Sequence, residues 1–441
     1  MLGLLPCTWG ALSASRARAD ANPFEAWANM IAYTEARYHG PLLPFPAPRP
    51  RPSDAGLVVR SERYPLTVHA SSAYPEPSAA RVLRGLERAY AWSLAEGWPL
   101  PYPDGGAGGS LDFDVYLVPG LAIGASAVAE QPVVWTTLDA ASGYALLDAG
   151  LPAAAVDRCS VQALTEAGLL GQDPAEPAGV RRATAAFVSF LATGELGCND
   201  AVEDTQAAPE LGLVGSGEPQ STGLALLLAM LSRRHDAGSG HFVAELWQIL
   251  RQHSERASAL HAEPTFWQAL EAALVKAGES LDQVATELAV ERYVANLPNA
   301  GAGLPGLSSA AKVEIAAAAK LTALPAQRTA KEKLSTYGSA YTLIDTTGAA
   351  EGQQLRVWLR GDDGVRWSLV AVRLDAQDRE LGRMEAPPRR VPDSFLPVVL
   401  GAETRRVLVV VTKLPWLRPD EAEADAGDED GFSLILGAAG P

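Results

Sequence analysis

Only a few residues in this 441-residue chain are equipped for catalysis, and their spacing limits what they could do. His241 and Glu245 stand four apart on a helix-like segment, so both project the same way. With His235, His253 and His261 close in sequence, they are the group from which a metal site near 235–261 could be built. The competing reading is a solvated helix face, since no second paired motif accompanies them. Cys159, between Arg158 and Ser160, could be drawn as a nucleophile, but one arginine hardly makes the electropositive setting that thiol activation needs. The run Asp104-Gly105-Gly106-Ala107-Gly108-Gly109 lacks the lysine and the strand-before, helix-after context of a phosphate cradle, and reads as a turn. Glycosidase-like carboxylate pairs can be drawn by the dozen among 52 acidic residues, which makes any one of them uninformative.

A net charge of -16 repels phosphate backbones, and no Lys/Arg cluster with interleaved aromatics offsets it, so nucleic acid is not an expected partner. The most apolar run, Leu224 to Leu231, is far short of the roughly 20 residues a membrane-spanning helix needs, and reads as a buried core helix. Near the start, a short apolar stretch leads to Ala17-Arg18-Ala19, a small-x-small pattern that fits export with a cut after Ala19; the alternative is an ordered arm. If Cys7 leaves with such a segment, Cys159 and Cys198 remain as an even pair, expected to form a disulfide in an oxidising compartment, with two buried thiols as the alternative. Closing a loop of about 40 residues contributes up to roughly 4 kcal/mol in the chain-entropy model. The expected localisation is secreted, periplasmic or cell-envelope.

These residues must be positioned by at least two domains, since the chain is too long for one ordinary core. Residues 1–19 fit a signal peptide and 20–60 a proline-rich arm, whose stretch Pro41 to Pro52 favours extended polyproline geometry. Residues 61–300 read as one domain: a small sheet over about 61–150 (Tyr64 to His69, Leu111 to Val118, Val133 to Thr136, Tyr144 to Leu147), then helices over about 156–296. The helical periodicity covers 156–170, 178–194, 221–234, 241–253, 264–277 and 281–295, with Pro264 suited to a first turn. Residues 305–441 read as a β-sandwich, with strands at Leu355 to Arg360, Arg366 to Leu374, Val407 to Thr412 and Phe432 to Leu436. Val313 to Leu321 is helix-prone but could supply a first strand. Asp420 to Asp430 carries seven carboxylates in eleven residues, a solvated loop or a calcium or partner surface. Trp247, Phe266 and Trp267 read as core; Trp358 and Trp367 lie on strands, packed inward or facing a glycan or protein.

The order of strands, helix, loop and helix, followed by a helical half and a sandwich, resembles secreted bacterial zinc metalloproteases of the gluzincin type. The segments that carry the resemblance are Trp98 to Val118, Asp157 to Cys198 and Tyr337 to Leu414. It implies an α+β fold in which a gluzincin-like domain precedes the β-sandwich. A gluzincin places His-Glu-x-x-His on one helix, with a carboxylate from the next helix completing the zinc site. The matching segment here reads Cys159-Ser160-Val161-Gln162-Ala163-Leu164-Thr165-Glu166. On that match Gln162 and Glu166 occupy the histidine places, Ala163 replaces the general base, and Arg182 stands where the next helix would present its glutamate. No histidine lies between His69 and His235. The resemblance therefore implies an exported, non-catalytic metallopeptidase-like protein without zinc, in a binding, scaffold or envelope-associated role with a protein or envelope partner, and with an Arg182–Glu166 ion pair filling the metal's place. The alternatives are a metal-dependent hydrolase displaced to His235–His261, and a structural partner protein using the sandwich and acidic loop.

Overall fold

The structure is a computed structural model that describes residues 42–53, 56–73, 76–199, 201–252, 259–295, 297, 304–306, 312–329, 333–386, 393–415 and 430–439. Cys7, the segment through Ala19, the arm before Leu42, His253 and the acidic run before Asp430 lie outside the described residues.

Strands β1 (Leu42–Pro44), β2 (Leu57–Arg60), β3 (Leu66–Ala70), β4 (Phe113–Val118), β5 (Ala125–Pro132), β6 (Ala141–Asp148) and β7 (Ala259–His261) belong to the first half. Five of them form one sheet in the order β2-β3-β4-β6-β5, with β3, β4 and β6 parallel and both edges antiparallel. β1 pairs with β7 instead. A parallel β3–β4 neighbour pair needs a crossover, and helix α1 (Glu76–Glu96) supplies it. Val82, Leu83 and Leu86 of α1 pack with Val68 and Val115 in the main core. Because strand side chains alternate, the opposite face of the same strands presents His69, Asp114, Tyr116 and Tyr144.

Helices α2 (Val156–Leu170), α3 (Ala178–Thr193), α4 (Ala201–Ala207), α5 (Glu218–Asp236), α6 (His241–Leu250), α7 (Phe266–Lys276) and α8 (Leu281–Val294) follow. Leu224 to Leu231 is buried on every side, as its unbroken apolar character requires. Among the described residues no helix is long and apolar enough to cross a membrane. Helix α6 stops at Leu250, three residues before the expected 253. Pro264 lies outside α7 and not in its first turn: Thr265 is the N-cap, and its hydroxyl and the Gln268 side chain form a capping box. The stretch Val133 to Thr136 is not a strand. Pro132 ends β5 by removing a ladder donor, and Val134 and Trp135 turn out to solvent.

Gly168 marks the tightest packing of α2: a Cβ there would overlap the Pro99 carbonyl. Gly168→Ala is therefore expected to destabilise the protein by about 1–3 kcal/mol through overpacking, although alanine is the better helix former. Urea denaturation checks this, and a stabilised variant would show that the contact yields freely.

The second half contains β8 (Ala317–Lys320), β9 (Ala326–Thr329), β10 (Ser339–Asp345), β11 (Gln354–Gly361), β12 (Arg366–Leu374), β13 (Glu380–Glu385), β14 (Asp393–Val399), β15 (Arg406–Leu414) and β16 (Phe432–Ala439). They form two sheets, β13-β12-β15-β10-β8 and β14-β11-β16-β9. Val407, Val409 and Val411 of the first share a core with Val357, Leu396 and Leu434 of the second. The other side of β15, Leu408 and Val410, packs with Ala289 and Val290 of α8. That double covering explains why β15 is unbrokenly apolar over 407–411 while β11 alternates. The alanine-rich Ala317–Lys320 is a strand, parallel to β10. Trp247, Phe266, Trp267 and Trp367 are buried; Trp358 is half-buried against Phe395 on the outer face of β11. The chain is thus an α+β protein.

Candidate functional site

Helix α2 packs against α1, α3, β5 and β6, so nearly all of its side chains are enclosed. Cys159 near its start and Cys198 are at disulfide distance, with S–S 2.00 Å. This removes Cys159 as a free nucleophile and fixes the loop after α3 over the helix. One turn on, the Gln162 Oε1 accepts the Cys198 backbone N–H at 2.6 Å. Ala163 is fully buried and contributes a methyl group to the core. Glu166, one turn after Gln162 on the same face, is 0% exposed, and its two oxygens lack a hydrogen-bond partner of good geometry. Burial pushes its carboxyl up to about 7; the charges of Arg182 and Arg181 and the Ala127 amide of β5 oppose the rise without cancelling it.

Arg182 does not close an ion pair onto Glu166. Its Nη1 donates to the Ser216 carbonyl at 3.1 Å and lies 4.0 Å from the Glu218 carboxylate at the start of α5. Its effect on Glu166 is through space. The reason is geometric: the Ser216–Glu218 segment offers the guanidinium both a carbonyl and a carboxylate, while Glu166 sits deeper against β5.

Beside this group, in the α2–α3 connection, Asp173 is also buried, and burial raises its carboxyl to about 8. Asp139 adds to the rise, while the Ala175 amide and Arg181 oppose it. Asp139 in turn accepts the His261 backbone N–H at 2.7 Å, with His261 Nδ1 at 3.4 Å. The charge of Arg181 thus opposes the burial-driven rise of both carboxyls, Glu166 and Asp173. Sequence reading singled out Glu166 but not Asp173, Asp139 or Arg181, because their proximity comes from the packing of separate loops.

The described histidines of the second candidate group, His235, His241 and His261, have separate surroundings. His241 and Glu245 are exposed one turn apart on α6. His235 stacks on Phe242 with centroids 4.8 Å apart and meets Glu279 Oε2 at 3.1 Å. His261 is buried beside Asp139. Among the described residues no group of three or more His, Cys, Asp or Glu is placed to hold a metal ion.

The strongest charge cluster lies elsewhere, on the sheet face away from α1. Arg51, in the proline-rich segment, donates from Nε to Glu130 Oε1 at 2.7 Å, from Nη1 to Asp114 Oδ2 at 2.5 Å, and from Nη2 to Glu130 Oε2 at 2.5 Å and to Asp104. Its plane lies over the rings of Tyr144 and Tyr116, 5.2 and 5.9 Å from their centroids. His69 Nε2 takes the second oxygen of Asp114 at 2.7 Å and stacks on Tyr116. Burial works against the Arg51 charge, but Glu130, Tyr116, Asp114 and Asp104 outweigh it and raise its pKa further. Burial likewise opposes the Asp114 charge, yet His69 and Arg51 hold its pKa below the usual carboxylate value. The glycine-rich turn has a role in this: the Gly106 and Gly108 amides bind Asp104, and a side chain at Gly108 would collide with Asp114 and Arg51.

No protein-family model matches the chain, and no curated protein matches it. Among solved structures it is similar to the insecticidal delta-endotoxin Cry8Ea1 from Bacillus thuringiensis, at 13% identity and a TM-score of 0.13 over 26% of this chain and 19% of that chain. A likeness of that size carries no argument about fold or function.

Proposed function

We propose that this chain is an exported, non-catalytic, metallopeptidase-like protein that works by binding, in a scaffold or envelope-associated role. The observation that carries the reading is the engagement of the helix where the resemblance calls for zinc ligands. Gln162 spends its carbonyl oxygen on the Cys198 amide, Ala163 has no polar atom, and Glu166 is sealed against β5 under the field of two arginines. A cation field disfavours a divalent metal, and a buried carboxyl inclined to keep its proton is a poor ligand. The Cys159–Cys198 pair supports an oxidising compartment. The two sheets of the second half, sharing one core, are read as the β-sandwich of that architecture, and the sheet with α1 to α8 as its gluzincin-like domain.

Equilibrium dialysis of the purified chain against zinc tests the reading. Far less than one equivalent should be retained; one tightly held equivalent, lost on His241→Ala, would instead establish the displaced site on α6.

A further inference from the structure

The described residues 45–53, which follow β1, form a strap across the outer sheet face, and the chemistry of their attachment is that of a bound peptide. Pro46, Pro48, Pro50 and Pro52 have no amide donor to give to the sheet. Among the described residues of the strap, the polar ties to the sheet are those of the Arg51 side chain and of the Pro50 and Arg49 carbonyls, which accept from the Tyr144 hydroxyl at 3.2 and 3.5 Å. Arg51 enters a preformed receptor. Asp104 is fixed by two turn amides, Asp114 by His69, and Tyr116 and Tyr144 meet edge-on with centroids 5.5 Å apart. Three carboxylates face a single guanidinium, and two aromatic rings wall it. Planar bidentate acceptors with aromatic faces select guanidinium over ammonium. Short proline-rich segments are a recurrent form of peptide ligand because their extended conformation is set in advance.

We infer that the outer face of this sheet is a recognition site for arginine within a proline-rich peptide, and that the strap occupies it as an internal ligand. The inference is independent of the reading of Glu166 and its neighbours. An external peptide of the same chemistry would bind by displacing Arg51. Since the strap presents Arg51 at an effective concentration on the order of millimolar, the competitor must reach that range or bind more tightly.

The full chain carrying Arg51→Ala, with a synthetic peptide of the strap sequence Pro48 to Ser53, provides the test. The peptide should raise the Tm of the variant saturably, and a peptide with lysine in place of Arg51 should need about tenfold more for the same shift. The wild-type chain should show no shift at the same concentration. Equal shifts with both peptides, equal shifts on wild type, or none on the variant would overturn the proposal. Should Arg51→Ala not fold, Arg51→Lys serves: the arginine peptide should raise its Tm saturably at about tenfold lower concentration than the lysine peptide. Equal shifts with the two peptides, or none, would overturn it.

Discussion

Arg51→Ala is expected to cost on the order of 3–5 kcal/mol of stability, the range for removing one partner from a buried, hydrogen-bonded charge cluster. The Arg51 side chain is only 12% exposed, and its loss leaves Asp104, Asp114 and Glu130 facing one another, with His69 still beside Asp114 and the Gly106 and Gly108 amides still on Asp104. Arg51→Lys should recover part of the loss, since an ammonium keeps the charge but not the fork of donors. The penalty should also depend on pH. Asp114 has a depressed folded pKa, so its contribution is present above its ordinary value of 3.8 and disappears as pH falls through the folded value. Protonated carboxyls no longer repel one another, so the gap between wild type and variant should narrow in acid. Urea denaturation at pH 7 and pH 3.5 measures both; a gap that stays constant would show that Arg51 acts through packing alone.

Glu166→Gln should do the opposite and stabilise the protein above neutrality. The carboxyl rises from 4.5 to about 7 on folding, so between those values the folded chain binds more protons than the unfolded one. Stability therefore falls as pH rises through that window and is level above it. The amide removes this dependence: the expected gain is about 3 kcal/mol at pH 8 and close to zero below pH 4.5. Asp173 follows the same sign up to about pH 8, so part of the wild-type slope should persist in the variant and vanish only with Asp173→Asn added. Thermal unfolding from pH 4 to 9 reads the difference, and equal effects of Glu166→Gln at pH 5 and pH 8 would sink the explanation.

What could be read from the sequence was what short-range pattern encodes. Helix α2 over 156–170 follows from apolar spacing, and the Cys159–Cys198 pairing from cysteine count and compartment. β5 was hidden because Ala125 to Gln131 is poor in strand formers, and its pairing with β6 overrides propensity. β14 was hidden by Pro397, which an edge strand tolerates. The Arg51 cluster was the least legible. Its contacts join residues 53 to 79 positions apart, while short-range pattern marks its arginine only as part of a spacer and its glycine-rich wall only as a turn. Gln162, Ala163, Glu166 and Arg182 are singled out by the resemblance, and the direction Arg182 takes depends on Ser216 and Glu218, more than thirty residues on.

Peptide hydrolysis by the purified chain, with and without added zinc and with and without a chelator, tests the non-catalytic reading most directly. No turnover that zinc restores or a chelator removes is expected. Chelator-sensitive cleavage that survives Glu166→Gln and is abolished by His241→Ala would contradict it.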